Sequence, residues 1–146
     1  MSVTAKMFGK FFLSTMNKEL DLNSDAIKCA LITAAHAPDQ DVDQYWDAAH
    51  GMIEVGNSGT YAAGGAACGT PTIAYDAGTN VMNFDCDNIQ WTGATITARY
   101  AIFYDSTPAA NKPLIGYVDF GADVSCTNGT FDLTIATGGV FAITVA

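Results

Sequence analysis

The stretch Ala94–Tyr104, ATITARYAIFY, decides how the rest of the chain is read. It is β-branched or aromatic at most positions, the composition that fits a pleated and buried surface. Its apolar residues do not alternate with polar ones; they fall on both faces. A strand of that kind sits in the middle of a sheet and is covered on both sides. Downstream, Asp105–Pro113 carries two prolines and reads as a loop. Leu114–Phe120 follows as a strand, with Leu114, Val118 and Phe120 on one face. Asn128-Gly129 is the best hairpin signal in the chain. Thr130–Ala136 then alternates, and Gly138-Gly139 makes another turn. Val140–Val145 closes the series with Phe141, Ile143 and Val145 sharing a face. These last four strands read as a meander.

Upstream, Ala26–Thr33 (AIKCALIT) is a strong strand, and Thr72–Tyr75 and Asn80–Cys86 flank an Asp76-Ala77-Gly78 turn as a hairpin. Gly56–Gly69 is Gly- and Ala-rich around Tyr61 and reads as a long connection or a pair of weak strands. Pro38–Asp47 reads as an acidic loop or one short helical turn. The first twenty residues read as a helix, with Phe8, Phe11, Phe12 and Met16 on one side and Lys6, Lys10 and Asn17 on the other. Leu13 falls off the apolar face. Seven to nine short strands after one helix, with no strand–helix alternation, predict an all-β antiparallel sandwich, jelly-roll-like, with an N-terminal α-helix. No linker divides the 146 residues, so one domain is expected: a helix or arm over 1–20 and a sandwich body over 25–146.

Composition narrows the function. Charged residues are only 14% and hydrophobic ones 49%, which excludes disorder. The net charge of −9 argues against nucleic-acid binding. The longest charge-free run, Val55–Tyr75, is full of Gly, Ser, Thr and Asn, so no membrane partner is expected. No secretory signal is visible at the start, which argues for a reducing cytoplasm. Cys29, Cys68, Cys86 and Cys126 are then free thiols, with Cys29 and Cys86 as small apolar fillers in strands; two disulfides remain arithmetically open. The charge is also uneven. The first 28 residues carry four lysines against three acids, and the remainder carries Lys112 and Arg99 against twelve. A basic helix on an acidic body suits docking to an acidic neighbour, including another copy of the chain, as well as it suits a solvated face.

Candidate chemistry is sparse. Asp39-x-Asp41-x-Asp43-x-x-x-Asp47 begins like a calcium loop, but its sixth position is Gln44 and its twelfth His50, so a solvated loop is preferred. Asp85-x-Asp87 pairs two carboxylates, which can share acid–base work but more often cap a turn. His36 and His50 lack metal-ligand spacing and read as surface loop residues. No nucleophile, phosphate-cradle or dinucleotide motif is present. Arg99, the only arginine, must pair or reach the surface; Asp105 and Asp119 are its candidate partners, in a structural ion pair or an interface contact. The expectation is therefore no catalytic residue, no metal and no cofactor.

Three stretches carry a family resemblance: Val3-Thr4-Ala5-Lys6 running on to Gly9-Lys10; Pro38-Asp39-Gln40-Asp41 with Tyr45-Trp46-Asp47; and Thr97–Gly121, TARYAIFYDSTPAANKPLIGYVDFG. They resemble small virion structural proteins of tailed bacteriophages, of the head decoration (cement) or head-fibre type. The resemblance implies a non-enzymatic virion component, assembled in the host bacterial cytoplasm, that stabilises a shell. Its expected partners are the major capsid protein or other virion proteins and further copies of itself, a homotrimer being favoured because shells offer threefold sites. Lys6, Lys10, Phe11, Tyr45, Trp46, Tyr61 and Arg99 are the interface candidates, the loop aromatics serving equally well as lids on the sandwich. One rival is a host-surface or glycan-binding fibre or tail module using Tyr45, Trp46 or Trp91 as stacking platforms. The other is a small hydrolase built on Asp85 and Asp87 or on the acidic loop.

Overall fold

The structure, a computed structural model, describes residues 2–47 and 51–146. Its elements are β1 (Thr4–Met7), α1 (Lys10–Met16), β2 (Ile27–Ile32), β3 (Ala66–Ala67), β4 (Thr72–Asp76), β5 (Val81–Asp85), β6 (Ile89–Asp105), β7 (Leu114–Leu133) and β8 (Phe141–Thr144). All strand pairs are antiparallel. One sheet has the order β1-β7-β6-β2-β3 and the other β4-β5-β8. Two antiparallel sheets and a short N-terminal helix make the all-β sandwich that the strand pattern implies.

β6 is the central strand. Its upper half, Tyr100–Asp105, pairs with β2 on one side and β7 on the other. Its side chains alternate between two cores. Ala101 and Phe103 face the main core between the sheets; Tyr100, Ile102 and Tyr104 face a second, smaller core on the outer side of the large sheet. Phe8, Ile32, Met52, Leu114 and Tyr117 complete that outer core, with Trp46 packed against it. Trp46 stacks on Tyr104 at 4.7 Å between ring centroids. The lower half of β6 has no outer cover, so Ile89, Trp91, Ala94, Ile96 and Ala98 point inward and the residues between them reach solvent.

The small sheet caps the main core through Phe84 of β5 and Phe141 of β8, whose rings lie 5.6 Å apart; Phe11 of α1 meets Phe141 edge-on at 5.4 Å. Burying each such ring contributes roughly 1.5–3 kcal/mol. β4 lies outside this packing and is exposed along its whole length. The four cysteines are free thiols: Cys29, Cys68 and Cys86 are buried and Cys126 is half-buried. Cys29 lies in β2, and Cys86 follows the end of β5 rather than lying in a strand.

Three expectations are corrected. The first twenty residues are not one helix: Thr4–Met7 is a strand paired with β7, and only Lys10–Met16 is helical. Phe8 therefore enters the outer core and Phe11 the main core, while Phe12 and Met16 face solvent. Asn128-Gly129 is not a hairpin. β7 runs through it because β6 pairs on both sides of it, at Cys126 and at Gly129; Asn128 takes a left-handed conformation (φ 46°) at the register shift between them. The last four strands are not a meander either. After a turn at Gly139, β8 crosses to the small sheet and pairs with β5.

A wide bulge interrupts β7 where Ala98 pairs with Val124 but Tyr100 pairs with Asp119. Arg99 alone spans that gap, and Gly121, at φ 80°, sits where an added Cβ would meet the Ser2 carbonyl. Gly65 is tighter still. At φ 75°, its added Cβ would lie 1.9 Å from the Cys29 carbonyl oxygen, where β3 joins β2. Gly65→Ala is expected to lower unfolding stability by about 2–4 kcal/mol, whereas Gly138→Ala, in open space, stays within about 0.5 kcal/mol of the parent. Urea unfolding of the two variants against the parent checks this.

Candidate docking surface

The seven interface candidates separate once placed in the fold. Phe11 and Tyr61 are inside the protomer and contribute to the main core. The Tyr61 hydroxyl accepts from the Leu31 backbone N–H at 2.9 Å and donates to Glu54 at 2.8 Å, pinning the Gly-rich segment over β2. Burial pushes its ionisation up from the usual phenol range. Trp46 is half-buried with one ring face against Tyr104. Tyr45 is half-buried; its hydroxyl donates to Glu19 and accepts from the Gln44 side chain. Lys10 is nearby and donates to the Val42 carbonyl at 2.9 Å, so α1 and the 38–47 loop form one unit.

Arg99 and Lys6 form a separate pair around Asp119. The Arg99 Nε lies 2.8 Å from Asp119 Oδ1, across the bulge, and its guanidinium lies over the Tyr100 ring. Hydrogen bonding from Arg99 holds the Asp119 carboxyl below the usual carboxylate range, with Lys6 adding to the effect. Of the two partners expected for Arg99, Asp119 is therefore the one used, in an ion pair within the chain. Both members are partly exposed, so its contribution is at most about 1 kcal/mol.

The acidic motifs turn back on their own backbone. Asp39 accepts from the Asp41 and Val42 N–H groups, and Asp43 accepts from Asp39. Asp47 accepts from Asn111. Asp85 accepts from the Cys86 N–H, and Asp87 from the Thr70 hydroxyl. Among the described residues no group of three or more His, Cys, Asp or Glu side chains is arranged to hold a metal ion. His36 is half-buried, and His50 lies outside the described residues. Trp91 is 1% exposed, between Tyr61 and Phe131, and presents no platform to a ligand.

The fold leaves a set of apolar side chains outward, of which Phe12 and Met16 belong to the apolar side of the helix read from the sequence. With the helix cut to seven residues, Phe11 and Ser14 are its buried positions. Phe12, Leu13 and Met16 are then 43%, 49% and 82% exposed. Ile73 and Tyr75 of β4 are exposed too, and Ile73 lines one depression with Thr15, Lys18, Leu20 and Leu22 next to α1. Val42, anchored to Lys10, is exposed beside the helix start. This strip, flanked by Lys10 and Lys18, is the candidate docking surface. A cleft of about 210 Å³ lies on the other side of β8, lined by Lys6, Met7, Phe103, Val118 and Phe141. No helix among the described residues is long and apolar enough to cross a membrane. No family model, curated protein or solved structure matches the chain.

Sequence reading misses one buried carboxyl. Asp105 is fully buried at the end of β6; one oxygen accepts from the Thr107 N–H and the other has no donor. Its neighbour is the Asp25 carboxyl, and burial together with that neighbour pushes the Asp105 carboxyl up. A carboxyl raised in the folded state contributes stability while it stays protonated, and that stability is lost as pH rises through the raised value. Asp105→Asn places an amide donor opposite Asp25. It is expected to be more stable than the parent by about 1 kcal/mol at pH 7, the difference shrinking as pH falls toward the ordinary carboxylate range near ~4. Thermal unfolding of both proteins from pH 4 to 8 checks this.

Proposed function

We propose that the chain is a non-enzymatic structural protein of a bacteriophage virion, a decoration protein that docks on the capsid and stabilises the head. The observation that carries this reading is spatial. The three stretches that resemble phage virion proteins are far apart in sequence and touch in the fold. β1 pairs with β7 from Thr4↔Asp119 to Met7↔Gly116. The Gly9 N–H donates to the Gln40 carbonyl, joining the first stretch to the second. Trp46 donates its N–H to Lys112 and stacks on Tyr104, joining the second to the third. The three stretches thus form one contiguous piece of the molecule, which supplies Tyr100, Ile102, Tyr104, Leu114 and Tyr117 to the outer core.

The docking contact in this reading is the apolar strip of α1 and β4, with Lys10 and Lys18 meeting acidic groups on the shell. Desolvating a few exposed apolar side chains gains only a few kcal/mol per copy, but many identical copies brace a shell together. A trimer at threefold positions belongs to the same proposal. A glycan-binding fibre or tail module remains the rival reading. Its aromatic platforms are largely spent, Trp91 inside and Trp46 with one face covered.

The test mixes purified protein with separated heads and tails of the phage that encodes it. Retention on heads is expected. Leu13→Gln with Met16→Gln should reduce that retention about tenfold or more, while the unfolding midpoint stays within a few degrees because both side chains are exposed. Retention on tails or on host cells, or heads that bind the double variant as well as the parent, would overturn the reading.

A further inference from the structure

The chain passes between the two sheets at two neighbouring places. It leaves the large sheet after β3 and enters the small one at β4; it returns after β5 and enters β6. These two crossovers run side by side. The Asp87 N–H donates to the Gly69 carbonyl at 2.9 Å, and the Thr70 hydroxyl donates to Asp87 Oδ2 at 2.8 Å. An added Cβ on Gly69 would stand 2.8 Å from that same carboxylate oxygen, so the crossovers are in close contact. Each carries one cysteine, Cys68 in the first and Cys86 in the second. Both are free, buried and part of the main core.

We propose that Cys68 and Cys86 form a reversible disulfide that ties the two crossovers together, an oxidative modification site at the base of the β4–β5 hairpin. The two thiols are close enough to act on each other's ionisation. The Cys68 neighbour holds the Cys86 thiol below the usual thiol range, although burial, Asp85 and Asp87 oppose it, and the Cys86 neighbour with burial pushes Cys68 up. In the proposed step Cys86 is the attacking sulfur. Cys29, also close, is pushed up by burial and stays a thiol.

With a peroxide as oxidant, the Cys86 thiolate attacks one peroxide oxygen. An S–O bond forms, the O–O bond breaks, and the hydroxide that leaves takes up the proton Cys86 has released. Cys68 sulfur then attacks the sulfenic sulfur; the S–S bond forms, the S–O bond breaks, and water leaves with the Cys68 proton. Two thiols and one hydrogen peroxide give one disulfide and two waters. The gain is local. β4 is exposed along its whole length, and among the named strands it pairs only with β5, so the hairpin is the least supported part of the sandwich. A covalent tie at its base removes freedom from the opened hairpin and from the unfolded chain.

The experiment uses the full chain, prepared reduced and exposed to hydrogen peroxide. Free thiols should fall from the four present to two, and a peptide pair joining Cys68 to Cys86 should appear in non-reducing digests. The unfolding midpoint should rise by roughly 5 °C or more, and proteolysis within residues 72–80 should slow several-fold; dithiothreitol should reverse both. Cys126→Ser, which removes the most exposed thiol, should behave as the parent does. A thiol count that stays at four, a link involving Cys29 or one between copies through Cys126, or a Cys68–Cys86 link that leaves both the midpoint and the proteolysis unchanged would overturn the proposal.

Discussion

The pairing of one strand on both edges and its burial on both faces is the constraint from which the rest of the structure follows. Tyr100–Asp105 is fixed between β2 and β7. A strand in that position needs cover above and below. Below, the requirement is met by the small sheet and α1, which bring Phe84, Phe141 and Phe11 under Phe103 and Ile115. Above, the described residues form no second sheet. Phe8, Met52 and Trp46 take that place, carried there by the junction after β1 and by the segment between β2 and β3. The outer core exists because Tyr100, Ile102 and Tyr104 point where they do.

The same constraint explains how much of the fold the sequence discloses. The two-faced burial of ATITARYAIFY marks a central strand, and Ala26–Thr33 and the 72–86 hairpin are equally plain because their signals are local. The errors arise where a distant partner overrides a local signal. Thr4–Met7 has no strand pattern of its own and is extended because β7 offers an edge. Asn128-Gly129 would turn in isolation, but a long β6 holds it straight. The candidate surface suffers in the same way. A stripe of Phe8, Phe11, Phe12 and Met16 is apolar in sequence, and only the break between β1 and α1 sends two of the four inward and two outward. The Asp25–Asp105 neighbourhood has no local signature at all, since the two residues meet only when β2 and β6 pair in register.

The acidity of the chain has a structural origin in its turns. Asp21, Asp39, Asp76, Asp105 and Asp119 each accept the backbone N–H two residues further on. An aspartate in that role closes a turn with its side chain. A β-fold with many short connections uses this device repeatedly, and a negative net charge accumulates as a result. Hydrogen bonds of this kind hold Asp21 and Asp76 below the usual carboxylate range, so the stability they contribute is present at neutral pH and is lost as pH falls through their lowered values. The acidic body is therefore a record of how the chain turns as much as of what it meets.

The large sheet also sets the order in which the chain can become a protein. β2 must wait for β6, which begins at Ile89, and β1 must wait for the first half of β7, since Thr4 pairs with Asp119. Both waiting segments are apolar or extended, and both leave the ribosome long before their partners. Before β6 emerges, the sheet contacts available are the short β2–β3 pairing and the local β4–β5 hairpin, whose β4 strand is fully exposed in the finished fold. The large sheet is thus completed only when β7 emerges to pair with both β6 and β1. A chain ending before Leu114 would leave the β7-facing edge of Ile89–Asp105 unpaired, a hazard for aggregation that the completed molecule does not display.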